Sequence, residues 1–455
     1  MQNLHRITFA ALTLAMVVAS LPAHALEKQS ASVYHTRRAA LAAKLNGGAA
    51  VIFANDEPPM EYQDYRQDED FFYLTGWNEP GAALLVVADA PEAKTPRSYK
   101  EILFLPTRNL RMEKYTGVKM DAATQGVAEA TGVDAVEPMT ELASSLNRLI
   151  AADRQGDGKL VKNLWAQPES AKAKALMGYV AATLGSDAGD VTARDVTGLT
   201  AQLRMVKDLG EIALLRKASD ASMAAQRVMM KAVKPGMTER ALAGKMSESW
   251  LENGCERASY PPIVGSGINS TILHYAENSR TMEDGDVVLV DAACEYSMYA
   301  ADITRTVPVN GHFTARQREI YNIVLGSQQA AIDAFVAGKS KINDRDRKDP
   351  DSLDTAAYNY INSHGKATDG EPLGKYWLHG LGHLVGIDVH DPAQYPVVLA
   401  PGMVFTIEPG VYIPEEKLGV RVECTFLVGA DGKLIDLTAA LPHTADEIEA
   451  AMQSK

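Results

Sequence analysis

Two acidic residues, Asp291 and Asp302, stand in the stretch DAACEYSMYAADITRT (291–306), directly after the apolar run Val287 to Val290. Tyr296, Tyr299, Ile303, Thr304 and Thr306 around them favour strands. A hairpin turning near Tyr296 and Ser297 is expected to bring the two carboxylates close, because residues equidistant from the turn face one another. Two carboxylates held that close repel, one pKa rises, and the site either keeps a proton or takes a cation. Glu408 in TIEPGVY and Glu423 in GVRVECTF add two more on an apolar, strand-like background. An unpaired buried carboxylate costs several kcal/mol or loses its charge. Arg421 can balance one of them, not four. HGLGHLVGIDVHD (379–391) supplies His379, His383 and His390 beside Gly380 and Gly382, which argue against an ordinary helix. Its first His is not followed by Glu, so it is not the H-E-x-x-H zinc motif. Two divalent cations neutralise four carboxylates, with one imidazole completing the set. Oxygen-rich ligation with one imidazole suits Mn²⁺, Co²⁺ or Zn²⁺. The chemistry expected is that of a two-metal hydrolase.

The elements that must position these groups fall into two parts. From Glu27 to about Asp195 the pattern is α/β: a helix over 37–45, strands over 49–53, 71–74, 82–87 and 101–105, and helices over 121–130 and 171–184. Gly, Asp and Ser gather at 185–190, and the domain edge is expected between 185 and 205. The second part opens with a long amphipathic helix capped by Asp208 and Glu211 and stopped by Pro235 and Gly236. Thr238 begins a second helix, strands follow near 259–264 and 286–308, and Thr314 with Gln317 caps a third helix reaching about Phe335. The polar stretch 338–374 reads as a surface connection; its aspartate spacing does not fit a calcium loop, because the glycine and closing glutamate are misplaced.

The chain has 455 residues, 46% of them hydrophobic, and a net charge of −13. That length exceeds one ordinary core and predicts two domains. The acidic balance argues against nucleic acid or an anionic membrane as a partner. Residues 1–25 read as an export signal: His5 and Arg6, an apolar segment from Ile7 to Ser20, and an Ala23-His24-Ala25 cleavage pattern near Ala25. The segment is short of the ~20 residues that span a bilayer, so no stable anchor is expected and the mature chain is expected in the periplasm or secreted. Three cysteines, Cys255, Cys294 and Cys424, are too few for a disulfide framework. Cys294 and Cys424 are expected as small buried residues, with metal ligation the alternative.

With these residues in view, the sequence resembles the Xaa-Pro aminopeptidase (aminopeptidase P) family of pita-bread metallopeptidases, with the prolidases closely related. The resemblance rests on YRQDEDFFYLTGWNEPG (65–81), RMVKDLGEI (204–212), YPPIVGSGINSTILHY (260–275), DAACEYSMYAADITRT, PVNGHFTARQREIY (308–321), HGLGHLVGIDVHD, TIEPGVY, GVRVE and DEIEAAM, in the family's order. It implies an α+β protein: a creatinase-like α/β domain over 26–200, then a pita-bread catalytic domain over 201–455. It implies a dinuclear site on Asp291, Asp302, His383, Glu408 and Glu423, with Asp302 and Glu423 bridging two ions, most often Mn²⁺. A hydroxide shared by the ions would attack the scissile carbonyl, and Glu408 would shuttle a proton to the leaving nitrogen. His274, His379 and His390 match the family's substrate-steadying histidines, and Tyr412 and Arg421 match residues that orient the ligands. The substrates implied are peptides with proline second, and relatives commonly form dimers or tetramers. An Xaa-Pro dipeptidase is the nearest alternative, and a non-catalytic pita-bread binding protein a third.

Overall fold

The computed structural model describes residues 26–59, 63–89, 101–155, 163–184, 192–393 and 395–454. The expected export signal (1–25) and the 185–190 stretch of the expected linker lie outside the described residues. AAVIF and ALLVV form the strands Ala49–Phe53 and Ala83–Val87, buried at every position. Successive residues of a strand point to opposite faces, so an unbroken apolar strand needs cover on both. Ala50 and Ile52 pack with Leu41, Leu45 and Phe71, while Val51 and Phe53 pack with Leu146, Leu176 and Val180. The result is a six-stranded sheet in the order Ala135–Pro138, Glu101–Leu105, Ala83–Val87, Ala49–Phe53, Asn163–Ala166, Thr192–Asp195. Its middle pairings are antiparallel and its outer ones parallel.

The second half is built from small antiparallel sheets and paired helices. Asp208 accepts from the Glu211 amide at 2.9 Å and Glu211 accepts in return from the Asp208 amide at 3.0 Å, starting the helix Leu209–Ala232. The same reciprocal cap, Thr314 with Gln317, starts Ala315–Ala334. These helices pair with Glu239–Glu252 and Leu353–His364. Met229, Trp250, Tyr321 and Ile361 from them share one core with Val288, Val290, Phe405 and Phe426 from the strands. Two three-stranded sheets cross that core: Thr304–Pro308, Val287–Asp291, Ile263–Ser266, and Val404–Ile407, Cys424–Val428, Leu434–Asp436. This is the expected α+β organisation. Among the described residues, no helix is long and apolar enough to cross a membrane.

Several expectations are corrected. Residues 71–74, expected as a strand, lie in the helix Glu69–Thr75: the Asp68 carboxylate accepts from the Phe71 amide at 2.8 Å and Gly76, at φ 62°, ends the turn. Capping outweighs the strand preference of the aromatic run. The helix expected over 121–130 is confined to Val127–Thr131. The 338–374 connection contains the helix Leu353–His364, whose Leu353, Ala357 and Ile361 are core residues. The hairpin turns one residue later than expected, on Ser297 and Met298 at φ 50° and 73°. Asp291 therefore faces Thr304, and Asp302 lies diagonally across the ladder. Finally, Cys294 is not simply a small buried residue: it is disulfide-bonded to Cys255. The chain leaving Glu239–Glu252 pairs Arg257–Ala258 with Cys294–Tyr296, which brings the two sulfurs together. Cys424 is free and buried.

Candidate active site

Three of the acidic residues stand at strand ends, in a ladder or one step from it. Asp291 closes Val287–Asp291, Glu408 follows Val404–Ile407, and Glu423 lies between Leu418–Arg421 and Cys424–Val428. Asp302 and His383 come from irregular segments against these strands. The structure brings all five side chains together. His383 Nε2 lies 3.3 Å from Asp302 Oδ2 and 3.2 Å from Glu408 Oε1. Among the described residues, three overlapping triads present ligand atoms within 4.8 Å of one another: Asp291, Asp302, Glu423; His383, Glu408, Glu423; and Asp302, His383, His390.

Burial sets the electrostatics. Removal from water, with Asp302 nearby, pushes Asp291 up to about 6 despite the opposing charge of Arg421, which contacts it at 2.5 Å. Burial and then the charges of Asp302, Glu408 and Asp291 drive Glu423 well above the usual carboxylate range. Burial also disfavours the ionised Glu408 and the protonated His383, but their mutual contact prevails, lowering Glu408 to about 2 and raising His383. Glu423 accepts from the Thr304 hydroxyl at 2.7 Å through one oxygen only; Oε1 is buried with no partner. The Tyr260 hydroxyl reaches Asp291 at 2.5 Å and Asp302 at 2.7 Å, yet its one proton serves one carboxylate at a time. Acceptors thus outnumber donors in a buried acidic cluster, and these residues fit cations.

The other expected residues gather at the same place, four in the cavity wall and Tyr412 buried behind it. Arg421 spans Asp291, the Thr304 hydroxyl at 3.0 Å and the Tyr412 hydroxyl at 3.0 Å. Tyr412 Oη lies 2.7 Å from His379 Nε2, and burial holds His379 down at about 4. The His390 ring sits 3.9 Å from that of His383, and His274 is exposed on the cavity wall. The cavity measures about 640 Å³ and is walled elsewhere by Tyr260, Leu273, Val389 and Tyr395.

Several residues that hold these groups carry no signal in the sequence. Thr406 Oγ1 donates to Glu408 at 3.1 Å and accepts from the His383 amide at 3.1 Å. Asp391 accepts from Lys207 at 2.9 Å and from Arg204 at 2.7 Å; Arg204 also donates to Asp388 and to Asp70, far away in the chain. That buried network closes the loop carrying His383 and His390. Asp391 ends HGLGHLVGIDVHD and Tyr260 begins YPPIVGSGINSTILHY, but neither position announces its own role.

Comparisons with known proteins agree with the two-part fold. Residues 213–430 match metallopeptidase family M24, and residues 34–156 match the aminopeptidase P N-terminal domain. The chain is 34% identical to an Xaa-Pro aminopeptidase of Escherichia coli over 92% of its own length and 97% of that protein's. It is 31% identical to an Xaa-Pro aminopeptidase of Haemophilus influenzae over 92% and 96% of the two chains. Among solved structures, the Escherichia coli aminopeptidase P with the inhibitor Pro-Leu superimposes with a TM-score of 0.80 at 31% identity, covering 94% of this chain and 99% of that one. Proline aminopeptidase P II from Yersinia pestis gives 0.81 at 31% identity, covering 94% and 100%.

Proposed function

The chain belongs to the aminopeptidase P family of M24 metallopeptidases, and from that premise we propose that it is a metal-dependent exopeptidase releasing the first residue of peptides whose second is proline. The observation that carries the reading is the cluster of three buried carboxylates, the half-buried Glu408 and His383, with Glu423 Oε1 left unpaired, on one wall of a peptide-sized cavity. Asp291, Asp302, His383, Glu408 and Glu423 would hold two divalent ions, with Mn²⁺ favoured by the oxygen-rich donors over Co²⁺ or Zn²⁺. When bound, such ions supply a nucleophilic hydroxide at neutral pH and polarise the scissile carbonyl.

The chain's own groups do the rest. Glu408, ionised at neutral pH, accepts a proton from the attacking water and delivers it to the proline nitrogen. An Xaa-Pro bond has no N–H on its leaving side, so this nitrogen must be protonated as a tertiary amine. His274, His379 and His390 face the cavity and steady the carbonyl, the tetrahedral intermediate and the proline ring. Arg421 orients Asp291, and Tyr412 fixes His379. A dipeptidase would use the same chemistry behind a narrower entrance; near-complete coverage of Xaa-Pro aminopeptidases favours the aminopeptidase. A non-catalytic binding protein would have no use for five ligand-capable side chains gathered in one buried site.

Export is part of the reading. Its support is the apolar leader of residues 1–25 together with the Cys255–Cys294 disulfide, a bond that suits an oxidising compartment. Assembly into dimers or tetramers is proposed by analogy with relatives. The test of substrate class is hydrolysis of an Xaa-Pro-Yaa tripeptide beside the matching Xaa-Ala-Yaa, with Mn²⁺ present. The reading predicts at least tenfold preference for proline, and equal rates contradict it.

A further inference from the structure

The segment His379–His383 carries two site histidines without being helix or paired strand, so its shape must come from neighbours. On one side it is zipped to Val404–Ile407 and Glu408: the Glu408 amide donates to the Leu381 carbonyl and the Thr406 amide to the His383 carbonyl, both at 2.9 Å. On the other side the polar groups of Leu381 and Gly382 meet one carboxamide. Asn343 Oδ1 accepts from the Leu381 amide at 2.7 Å and the Gly382 amide at 3.3 Å, while Nδ2 donates to the Gly382 carbonyl at 2.7 Å. Asn343 thus does for an edge what a neighbouring strand would do. The fit is tight. A Cβ at Gly382 would lie 2.1 Å from the Thr406 carbonyl, and one at Gly380 2.8 Å from Asn343 Oδ1.

Arg347 holds the upstream end. Its Nη2 donates to the His379 carbonyl at 2.9 Å, and its guanidinium carbon lies 4.3 Å from the Tyr358 ring centre and 4.8 Å from that of Trp377. Its Nε points at the buried Asp354 carboxylate at 3.4 Å. A planar cation held by two aromatic faces and a carboxylate is a rigid donor. The segment bearing both residues is itself anchored: the Lys341 amide donates to Asp351, and Leu399 donates to Ser340.

We propose that Asn343 and Arg347 are positioning residues of the reaction: they clamp the backbone of His379–His383 from the side opposite Val404–Ile407 and so set the His379 imidazole against Tyr412 and the cavity. The inference rests on the exopeptidase reading of the site. It is tested in the full chain with Asn343→Ala, Arg347→Ala and Arg347→Lys, each alone and combined with His379→Ala. Readouts are kcat and KM on an Xaa-Pro-Yaa tripeptide with Mn²⁺ and, in chelated protein, the Cε1–H NMR signal of His379, assigned by its loss in His379→Ala.

Both alanine variants are expected to lower kcat roughly 10- to 100-fold, the range for partners that orient site groups, and to move the His379 signal. Arg347→Lys, which can still donate to the carbonyl, is expected to recover part of kcat. In the His379→Ala background the further loss should be smaller than in wild type, because the imidazole that the clamp sets against Tyr412 is already gone. Full additivity in that background, or an unmoved His379 signal, overturns the proposal. If Arg347→Ala fails to fold, the Asn343→Ala cycle decides by the same criteria. An inactive wild-type enzyme would instead overturn the reading of the site, and the NMR arm still judges the clamp.

Discussion

Replacing Glu423 with Gln separates a residue that holds cations from one that holds the fold. The side chain is 1% exposed, takes one hydrogen bond from Thr304, and leaves Oε1 without a partner. An unsatisfied buried polar atom costs about 1–3 kcal/mol, and more when charged. Burial, and then the three carboxylates beside it, push its pKa well above the usual range. Burial and the neighbouring charges favour the neutral form in chelated protein, so the isosteric neutral amide should leave the melting temperature within about 2 °C or raise it. With ions the comparison inverts. A ligand at 100 times its dissociation constant stabilises by about 2.7 kcal/mol, which at ~2–4 °C per kcal/mol for a domain of this size is roughly 5–10 °C. Wild type should gain that shift on adding Mn²⁺, and Glu423→Gln should lose most of it. Differential scanning fluorimetry with and without chelator reads both. A large drop of the chelated melting temperature together with an intact Mn²⁺ shift would refute the reasoning.

Other predictions follow from the same geometry. Asp291 titrates near 6 in the fold against an ordinary 3.8; its contribution favours the fold at low pH and is lost as pH rises through 6, by about 3 kcal/mol at most. In chelated protein, the stability of Asp291→Asn relative to wild type should therefore rise between pH 4 and pH 7 in urea titrations, and a flat difference would count against this. Asp391→Asn leaves Lys207 and Arg204 buried with one carboxylate fewer, at a cost of about 3–5 kcal/mol in urea unfolding; a change under 1 kcal/mol would contradict the network's role. Cys255→Ser opens a link between residues 39 apart in sequence, worth about 4 kcal/mol in the chain-entropy account. It should lower stability without changing kcat, and reductant should destabilise wild type but not the variant.

Signals carried by a few adjacent residues were legible. The Asp208–Glu211 and Thr314–Gln317 caps, the buried strands AAVIF and ALLVV, and the break at Pro235 all appear where chain pattern predicts, because each depends on local geometry. The five candidate ligands converge, although Asp291 and Asp302 meet on a diagonal instead of face to face, since a turn one residue later changes the partner of every position. What escaped was tertiary. FFYL has the composition of a strand and becomes helix under an Asp68 cap, and the helix Leu353–His364 hides behind a polar loop. The Cys255–Cys294 pairing and the bonds of Asn343 join residues about 40 apart in sequence, where no periodicity speaks.

The central claim is metal-dependent removal of one residue ahead of proline. Mass spectrometry of products from an Xaa-Pro dipeptide, an Xaa-Pro-Yaa tripeptide and a longer Xaa-Pro peptide tests it, using mature protein with Mn²⁺ and an Asp302→Ala control. The account predicts release of the first residue from the tripeptide and the longer peptide, abolished in the control. Cleavage of the dipeptide alone, or equal activity in Asp302→Ala, would contradict it.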